Sequence, residues 1–217
     1  MFYNTNLIKF NAKMDNLVNG HHMFSDCDLR KFKTSLNNLK YGYHMFSNTA
    51  MTSWDIDMPN LVFGGGMFQS ARLESFEGDL SSLVMSYEAY PMFGTDYKDA
   101  EKNKLSHFRS NLSSLKCGYK MFVNCPLDQE SIDHISNVIN DISHLQKDND
   151  EDWKYDYYDG LWENGLTFKE TKSTIYSDYR GVISLSCADG VDFTSAVEKM
   201  NNKGWIVLIG GGRYEPS

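Results

Sequence analysis

Leu17-Val18-Asn19-Gly20-His21-His22-Met23-Phe24-Ser25-Asp26-Cys27 is echoed 22 residues later by Leu39-Lys40-Tyr41-Gly42-Tyr43-His44-Met45-Phe46-Ser47-Asn48-Thr49. The same spacing extends both ways along the chain. Leu17, Leu39, Leu61 and Leu83 are successively 22 apart, as are Phe10, Phe32, Trp54 and Phe76. Gly20, Gly42 and Gly64 each follow a leucine by three positions. A fifth copy, Leu105, Phe108, Leu112, Leu115, Gly118 and Met121-Phe122, keeps the internal spacing after an offset of 32. The extra residues fall in two places, Met85 to Pro91 and Asp96 to Lys104, which predicts loops at one edge of a stack.

A unit of this length is too short to bury its own apolar face. Stacking successive units places leucine on leucine and ring on ring, and makes one continuous core. The glycine column predicts either positive φ or close approach between neighbouring turns. Three residues after each Met-Phe phenylalanine come Cys27, Thr49, Ala71, Asp96 and Cys125. Four of these five are small, which suits a narrow inward slot.

The columns resemble a leucine-rich repeat of the BspA-like kind. Met23-Phe24-Ser25-Asp26-Cys27 and Met121-Phe122-Val123-Asn124-Cys125 carry its Met-Phe-x-x-Cys turn in full. The resemblance covers residues 1 to about 128. It implies an α/β repeat fold: a leucine-rich-repeat solenoid of about five 22-residue units over 1–127, with a capping helix over 128–146. It further implies display of a binding surface, as in bacterial surface and adhesion proteins and in tail or other virion proteins of gut bacteriophages. Met1 stands 22 residues before Met23, so the chain opens inside a unit. Phe2 and Leu7 then form a repeat end that is expected either to be covered by a partner, the favoured reading, or to mark a fragment of a longer ancestor.

The chain has 217 residues and a formal charge of −8. That size fits one solenoid plus a small further segment. The acidic balance argues against nucleic acid as a partner, because no basic stripe spans the chain. Lys31, Lys33 and Lys40 give the second copy a local positive face. Of the four cysteines, Cys27 and Cys125 occupy equivalent slots. Stacking would hold them roughly 19 Å apart, too far for a disulfide. Free buried thiols are expected, which suits a reducing place of synthesis. Neither a signal-peptide pattern nor an apolar run of bilayer length is seen, so no membrane insertion is expected. A virion protein made in host cytoplasm needs no export signal, and this favours a virion component over a bacterial surface module.

Ile132, Ile135, Val138, Ile139, Ile142 and Leu145 fall at helical spacing, with Asp128 or Ser131 near the start. Residues 147–165 read as an acidic, aromatic linker; its spacing does not match a calcium loop. Residues 166–217 read as a small α+β segment, with strands at 166–168, 174–176, 182–187 and 205–209, a helix over 193–202 and a glycine-rich flexible tail.

Two surfaces emerge as candidates. His21, His22, Tyr43, His44 and Tyr119 gather rings just after the glycine column. Such rings combine apolar area with a polar handle and suit sugar or protein contact. His22 and His44 alone do not make a metal site, since copy three supplies Gly65 and Gly66 there. Lys33, Asp55, Glu77 and Arg109 vary in charge beside the fixed ring column, and strand alternation points them to solvent. Asp55 and Glu77 sit one turn apart and could act as a carboxylate pair, as a glycosidase would need, although any two acids in adjacent turns would meet that spacing. No nucleophile elbow, zinc triad or phosphate loop is present, so no enzyme and no cofactor is expected. The expected role is a non-enzymatic virion protein contacting other virion subunits or a host-surface protein or glycan. The alternatives are a bacterial cell-surface adhesion module and, behind it, a glycan-acting enzyme. Assembly into an oligomer or larger particle is expected.

Overall fold

The computed structural model describes residues 1–86, 90–95, 103–159, 169–175, 177–210 and 212–213. Residues 87–89 and 96–102 of the inserted stretches, the strand expected at 166–168 and part of the tail lie outside them.

The molecule is a mixed α/β protein built on short parallel strand pairs. β1 (Lys9–Phe10) pairs with β2 (Lys31–Phe32), while β3 (Ser53–Trp54), β4 (Ser75–Phe76) and β5 (His107–Phe108) form a three-stranded sheet. Each is two residues long because the rest of each copy must turn. Registers follow the repeat: Lys9 faces Lys31, Ser53 faces Ser75, and Ser75 faces His107. A second parallel ladder runs Asn19, Tyr41, Phe63, Met85, Cys117. A third joins the Met-Phe turns, where Phe24 N–H donates to Met45 O, Phe46 to Met67 and Phe68 to Met92, at 2.9, 2.8 and 2.8 Å. Backbone polar groups that a short unit leaves unpaired are thus satisfied by its neighbours.

Rings fill the space between the ladders. Phe10, Phe32, Trp54, Phe76 and Phe108 lie in one file, with centroids 5.7, 5.7, 6.5 and 5.7 Å apart. Phe24, Phe46, Phe68, Phe93 and Phe122 make a second file spaced 5.5 to 5.7 Å. The files meet edge to face at 5.0 Å between Phe32 and Phe46 and 4.9 Å between Phe76 and Phe93. Offset-parallel and edge-to-face contacts are the arrangements that ring quadrupoles favour.

The glycine column serves close approach. A Cβ on Gly20 would lie 2.4 Å from the Met45 sulfur, on Gly42 2.6 Å from Met67, and on Gly64 2.9 Å from Met92. Each methionine sulfur rests on the preceding copy's glycine. Positive φ falls elsewhere, at His22, His44 and Gly66 before the methionines, and at Asp26, Asn48 and Ser70 after the phenylalanines.

The helix expected over 128–146 is shorter: α1 spans Gln129–Val138. Asp128 caps it, accepting from Ser131 N–H at 2.7 Å. It stops because Ile139 turns extended. Asn140 N–H then bonds Leu112 O, and Ile142 N–H bonds Lys203 O. Ile142 therefore packs in the core without being helical. The stretch expected to be a linker instead contributes a hairpin, β6 (Lys154–Asp159) antiparallel to β7 (Lys169–Thr174). Next come β8 (Val182–Leu185), α2 (Thr194–Asn202) and β9 (Ile206–Ile209), a parallel β-α-β unit. β10 (Gly212–Arg213) pairs antiparallel with β9, and the rest of the expected flexible tail lies outside the described residues. Bridges from Gly118 to Ile183 and from Leu127 to Cys187 attach this unit to the fifth copy.

Candidate functional site

The strand face and the turn face carry different chemistry. On the strand face a cleft of about 680 Å³ is lined by Lys9, Arg30, Lys31, Lys33, Trp54 and Asp55. Parallel register sets Lys9 directly over Lys31. Among the described residues, none of these four cations is in an ion pair. The cleft is locally basic on a chain of net charge −8.

The other strand-face candidates are partly engaged. Glu77 lies 3.6 Å from His107. Arg109 is not free for a ligand: it donates to Glu130 at 2.6 Å, Phe108 O at 2.9 Å and the Ser131 hydroxyl at 3.1 Å. It ties β5 to the first turn of α1. Asp55 is exposed in the cleft, and the Trp54–Phe76 register sets Glu77 beside it in the next copy.

The turn-face rings divide into two groups. His22 and His44 stack with centroids 5.0 Å apart, and Tyr90 meets His44 at 4.6 Å. Tyr43 packs edge-on against His22 at 5.5 Å and flat on Phe63 at 6.0 Å. His21 points to the interior side, 5.6 Å from Tyr43, with its Nε2 buried and lacking a hydrogen-bond partner. Burial, reinforced by the neighbouring imidazoles, lowers His21 and His44 to about 4; His22 is lowered by burial and partly restored by Asp26. All three are uncharged at neutral pH. Tyr119 does not continue the row, because it stacks on Tyr179 at 4.5 Å, against the C-terminal unit.

Three contributors are not among the candidates read from sequence. Tyr90 enters through an insertion, outside the repeat register. Asp26 and Asn48 belong to a column, Asn4, Asp26, Asn48, Ser70 and Asn124, whose residue types favour left-handed backbone. That column was visible in the sequence. Asn48 Nδ2 donates to Asp26 Oδ1 at 2.7 Å, and the Ser25 and Ser47 hydroxyls meet at 2.8 Å behind them.

At the repeat end, Phe2 stacks on Phe24 at 5.2 Å and its N–H donates to Met23 O. Phe2 and Leu7 stay partly exposed while packing on the core. Cys27, Cys117, Cys125 and Cys187 are free thiols. Burial pushes Cys117 and Cys125 up to about 12, so neither is a nucleophile at neutral pH. Among the described residues no group of three or more His, Cys, Asp or Glu can hold a metal, and no helix is long and apolar enough to cross a membrane. No family model matches the chain, and neither do the curated proteins or the solved structures.

Proposed function

We propose that this chain is a non-enzymatic leucine-rich-repeat solenoid acting as a virion component, on tail or head. Its role is to present a surface to host-surface molecules or to neighbouring subunits. One observation carries the reading: a buried ring column is constant from copy to copy, whereas the column that follows it varies in charge. Phe32, Trp54, Phe76 and Phe108 are buried in file, while the next residues are Lys33, Asp55, Glu77 and Arg109. A scaffold that holds its layers fixed and varies its outer charges is built for recognition. Burial of the Cys27, Cys117 and Cys125 thiols fits a binding role better than a chemical one.

The test is to raise antibody against the purified chain and probe gradient-purified phage particles by immunogold microscopy and mass spectrometry. Regular decoration of tails or heads supports the proposal. Full-length product on the surface of uninfected bacteria, with unlabelled particles, replaces it with the adhesion-module reading.

A further inference from the structure

The turn face carries a groove of about 380 Å³, separate from the basic cleft. That volume lies at the small end of the range for small-molecule sites, roughly 300–1,000 Å³. One wall is aromatic: Tyr3 meets His22 edge-on at 6.5 Å, His22 stacks on His44, and Tyr90 closes the row. Tyr3 and Tyr90 are 58% and 40% exposed, so ring surface is open to a ligand. The other wall is polar, made by Asp26 and Asn48.

Three features single this groove out. First, His22, His44, Asp26 and Asn48 all have positive φ, between 49° and 57°. Left-handed backbone costs an L-residue with a side chain about 1–2 kcal/mol, and copy three avoids that cost with Gly66. The imidazoles sit at positions where glycine is the unstrained choice. Second, the Asn48 carboxamide is half used. Its Nδ2 donates once, to Asp26, which leaves Oδ1 and one amide hydrogen open toward the groove. Asp26 Oδ2 takes a single bond, from Ser25 at 3.0 Å. Third, the aromatic wall is uncharged, and the lining has a carboxylate but no lysine or arginine. An anionic ligand would face Asp26 without a countercharge.

The exposed Tyr3 and Tyr90 rings, set at the two ends of the packed His22–His44 stack beside a paired carboxylate and carboxamide, complement one kind of small molecule. A pyranose has an apolar C–H face and a rim of vicinal hydroxyls. The face lies against an exposed tyrosine ring, and adjacent hydroxyls donate to a carboxylate while accepting from an amide. We infer that the groove between the His22–His44–Tyr90 rings and the Asp26–Asn48 pair is a binding site for an uncharged pyranose unit of a glycan. This rests on the reading of the chain as a recognition scaffold and names the ligand class of its turn face.

Full-length protein would be titrated by calorimetry and by NMR with methyl glucopyranoside, methyl galactopyranoside and methyl mannopyranoside. Sodium glucuronate is the charged comparison. At least one neutral glycoside is expected to bind saturably, with a dissociation constant on the order of millimolar, and glucuronate about tenfold more weakly or not at all. Asn48→Gly keeps the backbone region and removes the carboxamide; Tyr90→Ala removes an exposed ring. Each is expected to weaken binding about tenfold, while Tyr90→Phe retains it. Melting curves check that the variants fold, and the exposed Tyr90 series carries the test alone if Asn48→Gly does not. Failure of all three neutral glycosides to saturate overturns the inference, as does binding that both variants leave unchanged or tighter binding of glucuronate. Decorated particles together with no glycoside binding would sink this site and leave the virion reading standing. Glycoside binding with unlabelled particles would do the reverse.

Discussion

A single methyl group on Gly42 tests how neighbouring copies touch. It would lie 2.6 Å from the Met67 sulfur and 3.3 Å from Leu61 Cδ1, both on fully buried side chains. Gly42→Ala is expected to destabilise by about 1–3 kcal/mol through overpacking, read as a lower midpoint in thermal or urea unfolding. An unchanged midpoint would show that Met67 moves aside freely. The turn-face imidazoles give a second expectation. In the folded chain His21 and His44 are lowered from 6.5 to about 4, so between those values the unfolded chain binds more protons. Their contribution is therefore complete above pH 6.5 and is lost as pH falls toward 4, where it levels off. Urea midpoints measured across this window should fall on acidification. A His21→Asn, His44→Asn double variant should flatten that dependence, and an equally steep fall in the variant would assign the effect elsewhere.

Helix α1 is held at both ends by residues from outside it. Asp128 caps the start, and Lys203, just beyond α2, donates to Ser136 O, Asn137 O and Ile139 O at 3.0, 2.8 and 3.0 Å. A cation on the last carbonyls opposes the negative end of the helix dipole. Lys203→Met keeps the stem and removes these bonds, and should cost about 1–2 kcal/mol with faster amide exchange at Val138 to Ile142. Exchange unchanged there would mean that packing alone holds the helix end. Lys203 also explains why sequence reading overshot this element. Ile139, Ile142 and Leu145 keep helical spacing, but the backbone is drawn away by Leu112 O and Lys203 O, partners distant in sequence. Arg109 and Tyr119 are likewise met by partners distant in sequence. Their repeat positions point outward, yet Glu130 and Tyr179 lie over them. The pairings Lys9–Lys31 and Ser53–Ser75 were readable, since a residue 22 positions away of like type is its own neighbour. Lys31 and Lys33 were legible as a local positive face, but Lys9 and Arg30 join them only through the parallel register of the strands. Tyr90 was hidden because an insertion carries it in.

Across all the copies, stability is shared between neighbours. Phe46 touches Phe24 and Phe68 in its own file at 5.5 Å each, and Phe32 and Trp54 in the other file at 5.0 and 4.8 Å. Phe46→Ala should cost about 3–5 kcal/mol, and because the rings it touches belong to its own and the adjacent copies the loss should fall unevenly. The expected result is two unfolding steps, with copies one and two melting before the C-terminal half, seen by comparing tyrosine fluorescence with amide exchange. A single cooperative step at a lower midpoint would argue that the β8–α2–β9 unit binds the whole array together. The sulfurs of Met45, Met67 and Met92 rest on the glycines of preceding copies and are shut off from solvent. Oxygen added to such a thioether would act as a polar wedge with no room to stand, so peroxide can reach it only when adjoining layers part. Sulfoxide at these methionines would therefore record breathing of the array, leaving a chemical trace of each opening after the layers have closed again.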